Sequence, residues 1–132
     1  MSEIKLKGNP IHTSGSLPKV GTRAPDFHLT KTDLSDVTLH DFAGKRILLN
    51  IFPSVDTGVC AASMRAFNVE AAKSDNVVIL GVSKDPPFEH KRFCAADEIE
   101  QVVSASELRD GSSGEADGVR LQDGPMPGLL SR

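Results

Sequence analysis

Cys60 and Cys94 are the only two thiols among 132 residues, and the first closes the stretch FPSVDTGVC, Phe52 to Cys60. A thiol packed in an apolar core needs no preparation, whereas a nucleophilic thiolate needs local positive potential. This stretch offers it. Asp56 or Thr57 is a natural N-cap for a helix over TGVCAASMRAFNVEAAK, Thr57 to Lys73. With Thr57 as the cap, Cys60 is the third helical residue, where unpaired backbone N–H groups and the positive end of the helix dipole favour thiolate over thiol. The Thr57 hydroxyl can both donate and accept, which suits a polar O–O substrate at the sulfur. Pro53 adds a rigid wall and withholds an N–H. The competing reading is a small apolar residue at the buried start of a helix, since free cysteine is among the most buried residue types. Position alone leaves both readings open.

Cys94 stands 34 residues later in PPFEHKRFCAAD, Pro86 to Asp97, which reads as a short helix opened by prolines. That spacing is far from a C-x-x-C redox loop, and by itself it favours core packing beside Phe93. If both helices lie on one face of a sheet the thiols can approach, but a disulfide needs Cα atoms within roughly 7 Å and hence local unwinding. His90 and Cys94, at i and i+4, could supply two metal ligands, yet His12, His28 and His40 are scattered and only Cys60 could be a third. No phosphate-cradling glycine loop and no G-x-S-x-G elbow is present. Arg65, five residues past Cys60, falls about 140° around the helix and is expected to pair with an acid or solvent rather than take part in chemistry.

The elements that must carry these residues follow from patterning. IKLKG alternates with period two and NP is expected to turn the chain at Asn9–Pro10; DFHLT and VTLHDF are short strand candidates. KRILLNIF (Lys45–Phe52) and NVVILGVSKD (Asn76–Asp85) are apolar on both faces, as strands covered from both sides would be, and QVVSAS is a third such candidate. On the first helix Val59, Ala62, Ala66, Phe67 and Val69 mark the expected buried side. After Ser106 five glycines and two prolines predict mostly loop. The sum is a β-α-β-α-β pattern, an α/β domain with parallel neighbours. Length gives a single domain over residues 1–132. A net charge of −3 without a basic run argues against nucleic-acid binding, and no apolar run is long enough to cross a bilayer. No signal-peptide pattern opens the chain, so a cytoplasmic protein is the expectation.

NIFPSVDTGVCAASMRAFN together with DPPFEHKRFC resembles the thiol peroxidases, the atypical two-cysteine branch of the peroxiredoxins. LSDVTLHDFAGKR, DGPMPGLLSR and the KGNP hairpin match the same pattern, so the resemblance covers nearly the whole chain. It implies a thioredoxin-like fold with an N-terminal β-hairpin. By position it makes Cys60 the peroxidatic cysteine and Cys94 the resolving one, with Thr57, Pro53 and Arg132 completing the site. The implied activity is reduction of a hydroperoxide, with thioredoxin as reductant, a homodimer as the usual assembly, and neither metal nor organic cofactor. The same resemblance implies that this chain lacks the family's last strand pair and closing helix. Lys45–Phe52 would then be an apolar sheet edge, and Arg132 would carry the chain's own carboxylate. The second reading is therefore a truncated, weakly active or non-catalytic thiol redox sensor or binding protein.

Overall fold

The computed structural model describes the backbone of residues 1–132 and the side chains of all but 112 and 113. Alternating residues near the N-terminus form an antiparallel hairpin of β1 (Ser2–Leu6) and β2 (Asn9–Thr13). Its turn is Lys7–Gly8, not the expected Asn9–Pro10: Leu6 pairs with Asn9, and Pro10 lies in β2 opposite Lys5. Both turn residues have positive φ, 50° and 84°. A two-residue hairpin needs that conformation, which glycine adopts freely and proline cannot.

The main sheet has the order β4-β3-β7-β6-β5, from β3 (His28–Lys31), β4 (Asp36–Thr38), β5 (Arg46–Ile51), β6 (Val77–Ser83) and β7 (Val103–Ser106). Only the first half of the VTLHDF candidate is strand. A 3-10 turn, Leu39–Phe42, takes over where the Thr38 N–H donates to Asp41 Oδ2 at 2.8 Å. β5, β6 and β7 run parallel, joined by α1 (Gly58–Lys73) and α2 (Pro87–Ala96). Both helices cover the same face, where Phe52, Cys60, Met64, Ile79, Phe93 and Val102 form one apolar layer. Phe27, Leu29, Leu80, Val82 and Leu130 pack on the other face. Patterning alone suggests a central strand for β5, but among the described residues it pairs only with β6, so it is the sheet edge that the family resemblance implies, and Leu48 on it remains 38% exposed.

The buried side of α1 also differs from the expected one. Val59 and Val69 are exposed, as are Ala62 and Ala66, while Cys60 and Met64 are buried and Phe67 and Ala71 pack beside them. Apolar residues lie all around this helix, so periodicity alone does not select the seam at 60, 64, 67 and 71. The sheet selects it. Gly81 of β6 leaves the space that the Met64 thioether fills, and a Cβ there would collide with it.

Past Ser106 the chain is more ordered than its glycine content suggests. A short helix, α3 (Ser112–Asp117), ends at Gly118, whose φ of 71° and close approach to the Ser16 carbonyl exclude a side chain. The buried Glu107 carboxylate accepts the Gly114 N–H at 3.1 Å. Lys84 Nζ lies 2.7 Å from its other oxygen, an ion pair that is out of line for a hydrogen bond. The tail then folds back on itself: Leu121 N–H donates to Leu129 O and Ser131 N–H to Val119 O, both at 2.8 Å. No helix among the described residues is long and apolar enough to cross a membrane.

Met64 is the contact that seats the cysteine-bearing helix on the sheet. Met64→Ala is expected to lower unfolding free energy by about 3 kcal/mol in a denaturant titration. A loss under about 1 kcal/mol would mean that α1 is held by something else.

Candidate active site

The parallel connection fixes where Cys60 sits. Phe52 N–H still pairs with Val82 O at 3.0 Å, Pro53 ends the strand, and the loop 53–57 delivers the chain into α1. Thr57 is the N-cap in extended conformation (φ −89°, ψ 141°) and Cys60 is the third helical residue, as the sequence predicts. The Thr57 hydroxyl does not cap the helix. It donates instead to the Ser54 carbonyl at 3.0 Å, which engages its proton and leaves its oxygen free to accept. Cys60 is a free thiol, only 3% exposed.

Beside Cys60 opens a cleft of about 900 Å³ whose lining includes Pro53, Thr57, Cys60 and Arg132. Four of the five residues singled out by sequence therefore meet on one surface. The rest of that wall is largely apolar, with Ile4, Leu6 and Ile11 from the hairpin and Leu121 and Met126 from the tail; Lys5 and Lys7 add charge. Arg132 follows directly on Ser131, which is buried and hydrogen-bonded through its N–H, so the backbone that presents the guanidinium is tied down.

The fifth residue, Cys94, is not on the cleft. It is half-buried on α2, its Sγ 3.1 Å from Ser104 Oγ, packed against the same apolar layer that holds Cys60. Burial pushes its thiol up, more than the Ser104 hydrogen bond lowers it. Arg65 pairs with Asp97 at 2.7 Å, tying α1 to the end of α2.

Two groupings escaped the sequence reading. The first centres on Asp85, buried just beyond β6. Its carboxylate accepts Ser54 Oγ–H at 2.8 Å, Val55 N–H at 2.9 Å and Ser83 Oγ–H at 2.5 Å. His90, weighed above and set aside as half of a metal pair, spends its Nε2 on Ser83 Oγ at 2.9 Å and is fully buried. Since the Ser83 proton points to Asp85, the imidazole is the donor, which places its hydrogen on Nε2. Burial pushes His90 down to about 4, against the pull of Asp85, so the ring is neutral at pH 7. The available signal was the polar run Ser83-Lys84-Asp85 closing an apolar strand, with His90 five residues further on. The second grouping is Asp56, Glu89 and Arg92, where Arg92 lies 2.8 Å from Asp56 and 3.9 Å from Glu89.

Comparison with known proteins identifies the chemistry. Residues 19–132 match the Redoxin family. A thiol peroxidase of Mycobacterium tuberculosis is 54% identical over 132 residues, all of this chain and 79% of the relative. The chain belongs to the thiol peroxidases. A further thiol peroxidase, from Corynebacterium glutamicum, is 47% identical over the same 132 residues and is likewise spanned to 79% of its length. The crystal structure of a peroxiredoxin-like protein from Aquifex aeolicus superposes with a TM-score of 0.89 at 34% identity, covering 98% of this chain and 75% of that one. The fold is accordingly the thioredoxin-like fold of peroxiredoxins, and a thiol peroxidase is a thiol-dependent peroxidase enzyme.

The carboxyl pair beside this thiol peroxidase's cysteine loop carries a pH signature. A hydrogen bond shared with Asp56, then burial and the Asp85 charge, push the Glu89 carboxyl up to about 7, while Asp56 is held below its ordinary value by the same bond and by Arg92. An acid raised on folding adds stability below its unfolded value, and that contribution disappears as pH rises through about 7. In a carbon-13 titration Glu89 is expected to show a midpoint of about 7, and Asp56→Ala to return it toward 4.5. An ordinary midpoint in the unaltered protein would contradict the shared hydrogen bond.

Proposed function

We propose that this thiol peroxidase reduces hydrogen peroxide and organic hydroperoxides at Cys60, with Cys94 as the resolving thiol. The observation that carries the reading is the meeting of Cys60, Thr57, Pro53 and Arg132 on one cleft, with Cys60 in the uncapped first turn of α1. The Cys60 thiolate attacks one peroxide oxygen along the O–O axis. An S–O bond forms, the O–O bond breaks, and the leaving alkoxide or hydroxide takes up a proton to depart as alcohol or water. Sulfur loses two electrons and becomes a sulfenic acid. Arg132 and the backbone N–H groups of the first turn stabilise charge at the sulfur and on the polarised oxygen, while Thr57 accepts a hydrogen bond from the protonated oxygen. Pro53 shields the thiolate from water.

Resolution forms the second bond. The Cys94 thiolate displaces hydroxide from the sulfenic sulfur, water is released, and a Cys60–Cys94 disulfide results. Because Cys94 faces Ser104 rather than the cleft, α2 must open for this step. A thioredoxin-type dithiol then returns both cysteines to thiols by exchange. The reaction draws on no metal or organic cofactor, and a cytoplasmic homodimer is the assembly we assign to it. The enclosed position of Cys94 favours one further reading, a thiol redox sensor that oxidises readily but turns over slowly.

With hydrogen peroxide and a thioredoxin system, Cys60→Ser is expected to abolish peroxide consumption. Cys94→Ser should consume about one equivalent and stop, leaving a sulfenic acid that dimedone traps on Cys60. Unchanged turnover in Cys60→Ser would remove the assignment. A wild-type protein that oxidises once and is not recycled by thioredoxin would instead be the sensor.

A further inference from the structure

We propose that Asp85 is a positioning residue for the Cys60 reaction, holding the Pro53–Thr57 loop directly and, through Ser83 and His90, the helix that carries Cys94. The inference rests on the reading of Cys60 given above and assigns a role to a residue outside the cleft lining.

Loop 53–57 leaves the sheet at the point where the reactive cysteine has to be placed. Its buried Val55 N–H and its Ser54 hydroxyl have the Asp85 carboxylate as acceptor, at 2.9 and 2.8 Å. A buried donor stripped of its acceptor is costly, so the loop keeps the geometry that reaches this carboxylate. Ser54 passes the constraint on. Its oxygen accepts the Asp56 N–H at 3.1 Å, and its carbonyl accepts both the Thr57 hydroxyl at 3.0 Å and the Thr57 N–H at 3.3 Å. The Thr57 carbonyl in turn accepts Ala61 N–H at 3.0 Å, which opens the helix around Cys60. Three links in series, Asp85–Ser54, Ser54–Thr57 and Thr57–Ala61, therefore connect Asp85 to the turn that holds the sulfur.

The same carboxylate reaches the other cysteine. Ser83 Oγ donates to Asp85 and accepts from His90 Nε2, and His90 lies one helical turn before Cys94 on α2. The imidazole is fully buried against Phe52, ring centroids 6.3 Å apart, and its Nδ1 has no partner among the described residues. Loop and helix are thus registered against one fixed group. Attack along an O–O axis depends on such register, because a displacement of about 1 Å at a reacting centre costs on the order of a hundredfold in rate.

The test separates alignment from simple reactivity. In the Cys94→Ser protein, sulfenic acid formation at Cys60 by hydrogen peroxide is followed by dimedone trapping, alongside alkylation of Cys60 by iodoacetamide and thermal unfolding. Asp85→Asn should slow oxidation at least about tenfold while alkylation changes less than about threefold, since alkylation needs a thiolate but not the aligned Thr57. Ser54→Ala, which removes one of the two loop bonds, should slow oxidation less and in the same sense. It carries the test if Asp85→Asn does not fold. Parallel loss of oxidation and alkylation, or no change in either, would overturn the inference while leaving the Cys60 assignment standing. Failure of the parent Cys94→Ser protein to give any Cys60 adduct would remove that assignment, and this inference with it.

Discussion

Two parallel strands cannot be joined by a tight turn, so the chain leaving β5 must cross the sheet before it can enter β6. Here the crossover is α1, and its first turn necessarily stands at the carboxyl end of the strand pair. A helix start leaves backbone N–H groups without partners. The third residue of that turn is Cys60, and the Thr57 side chain that could have satisfied a free N–H binds Ser54 instead. Topology thus supplies a polar, positively biased spot at the rim of an otherwise apolar layer. The rest of the molecule arranges groups around it.

Each surrounding element contributes a different kind of constraint. Met64, seated over Gly81, fixes how far α1 lies from the sheet. The hairpin and the tail supply the apolar walls of the cleft, and they are joined to one another through the His12 N–H and ring, both bonded to Asp123 at 2.8 Å. Asp123 is held below its ordinary carboxyl range by those two hydrogen bonds, so the clasp weakens as pH falls and that carboxylate protonates. The clasp is exposed, and its worth lies in register rather than in stability. The return of the tail brings Arg132 to the cleft on a backbone pinned at Ser131.

How much of this was legible in the sequence depends on whether the deciding interaction was local. The N-cap and the placement of Cys60 are local, and Thr57-Gly58-Val59-Cys60 reads correctly without the rest of the chain. So does the β-α-β-α-β order, because β5 and β6 are long apolar runs separated by helix formers. The buried side of α1 is not local: Val59 and Val69 are as apolar as Met64, and only the sheet decides among them. The turn at Lys7–Gly8 was hidden by the stronger-looking Asn9–Pro10, although proline cannot adopt the positive φ that the hairpin demands. The position of β5 at the edge follows from the family resemblance and not from its apolar pattern, because composition does not encode strand order. The Asp85 cluster draws donors from residues about thirty positions apart, and no short motif spans them.

Both thiols belong to one apolar layer, yet only Cys60 reaches the cleft. That separation makes the pairing of the two cysteines the claim on which the functional account turns. The most direct test is intact mass and disulfide mapping of the reduced chain after one equivalent of hydrogen peroxide. The account predicts loss of two hydrogens and a single new bond between Cys60 and Cys94. If both thiols stay reduced while a small-molecule thiol in the same tube oxidises, the chain carries the motif without the chemistry, and the account is wrong.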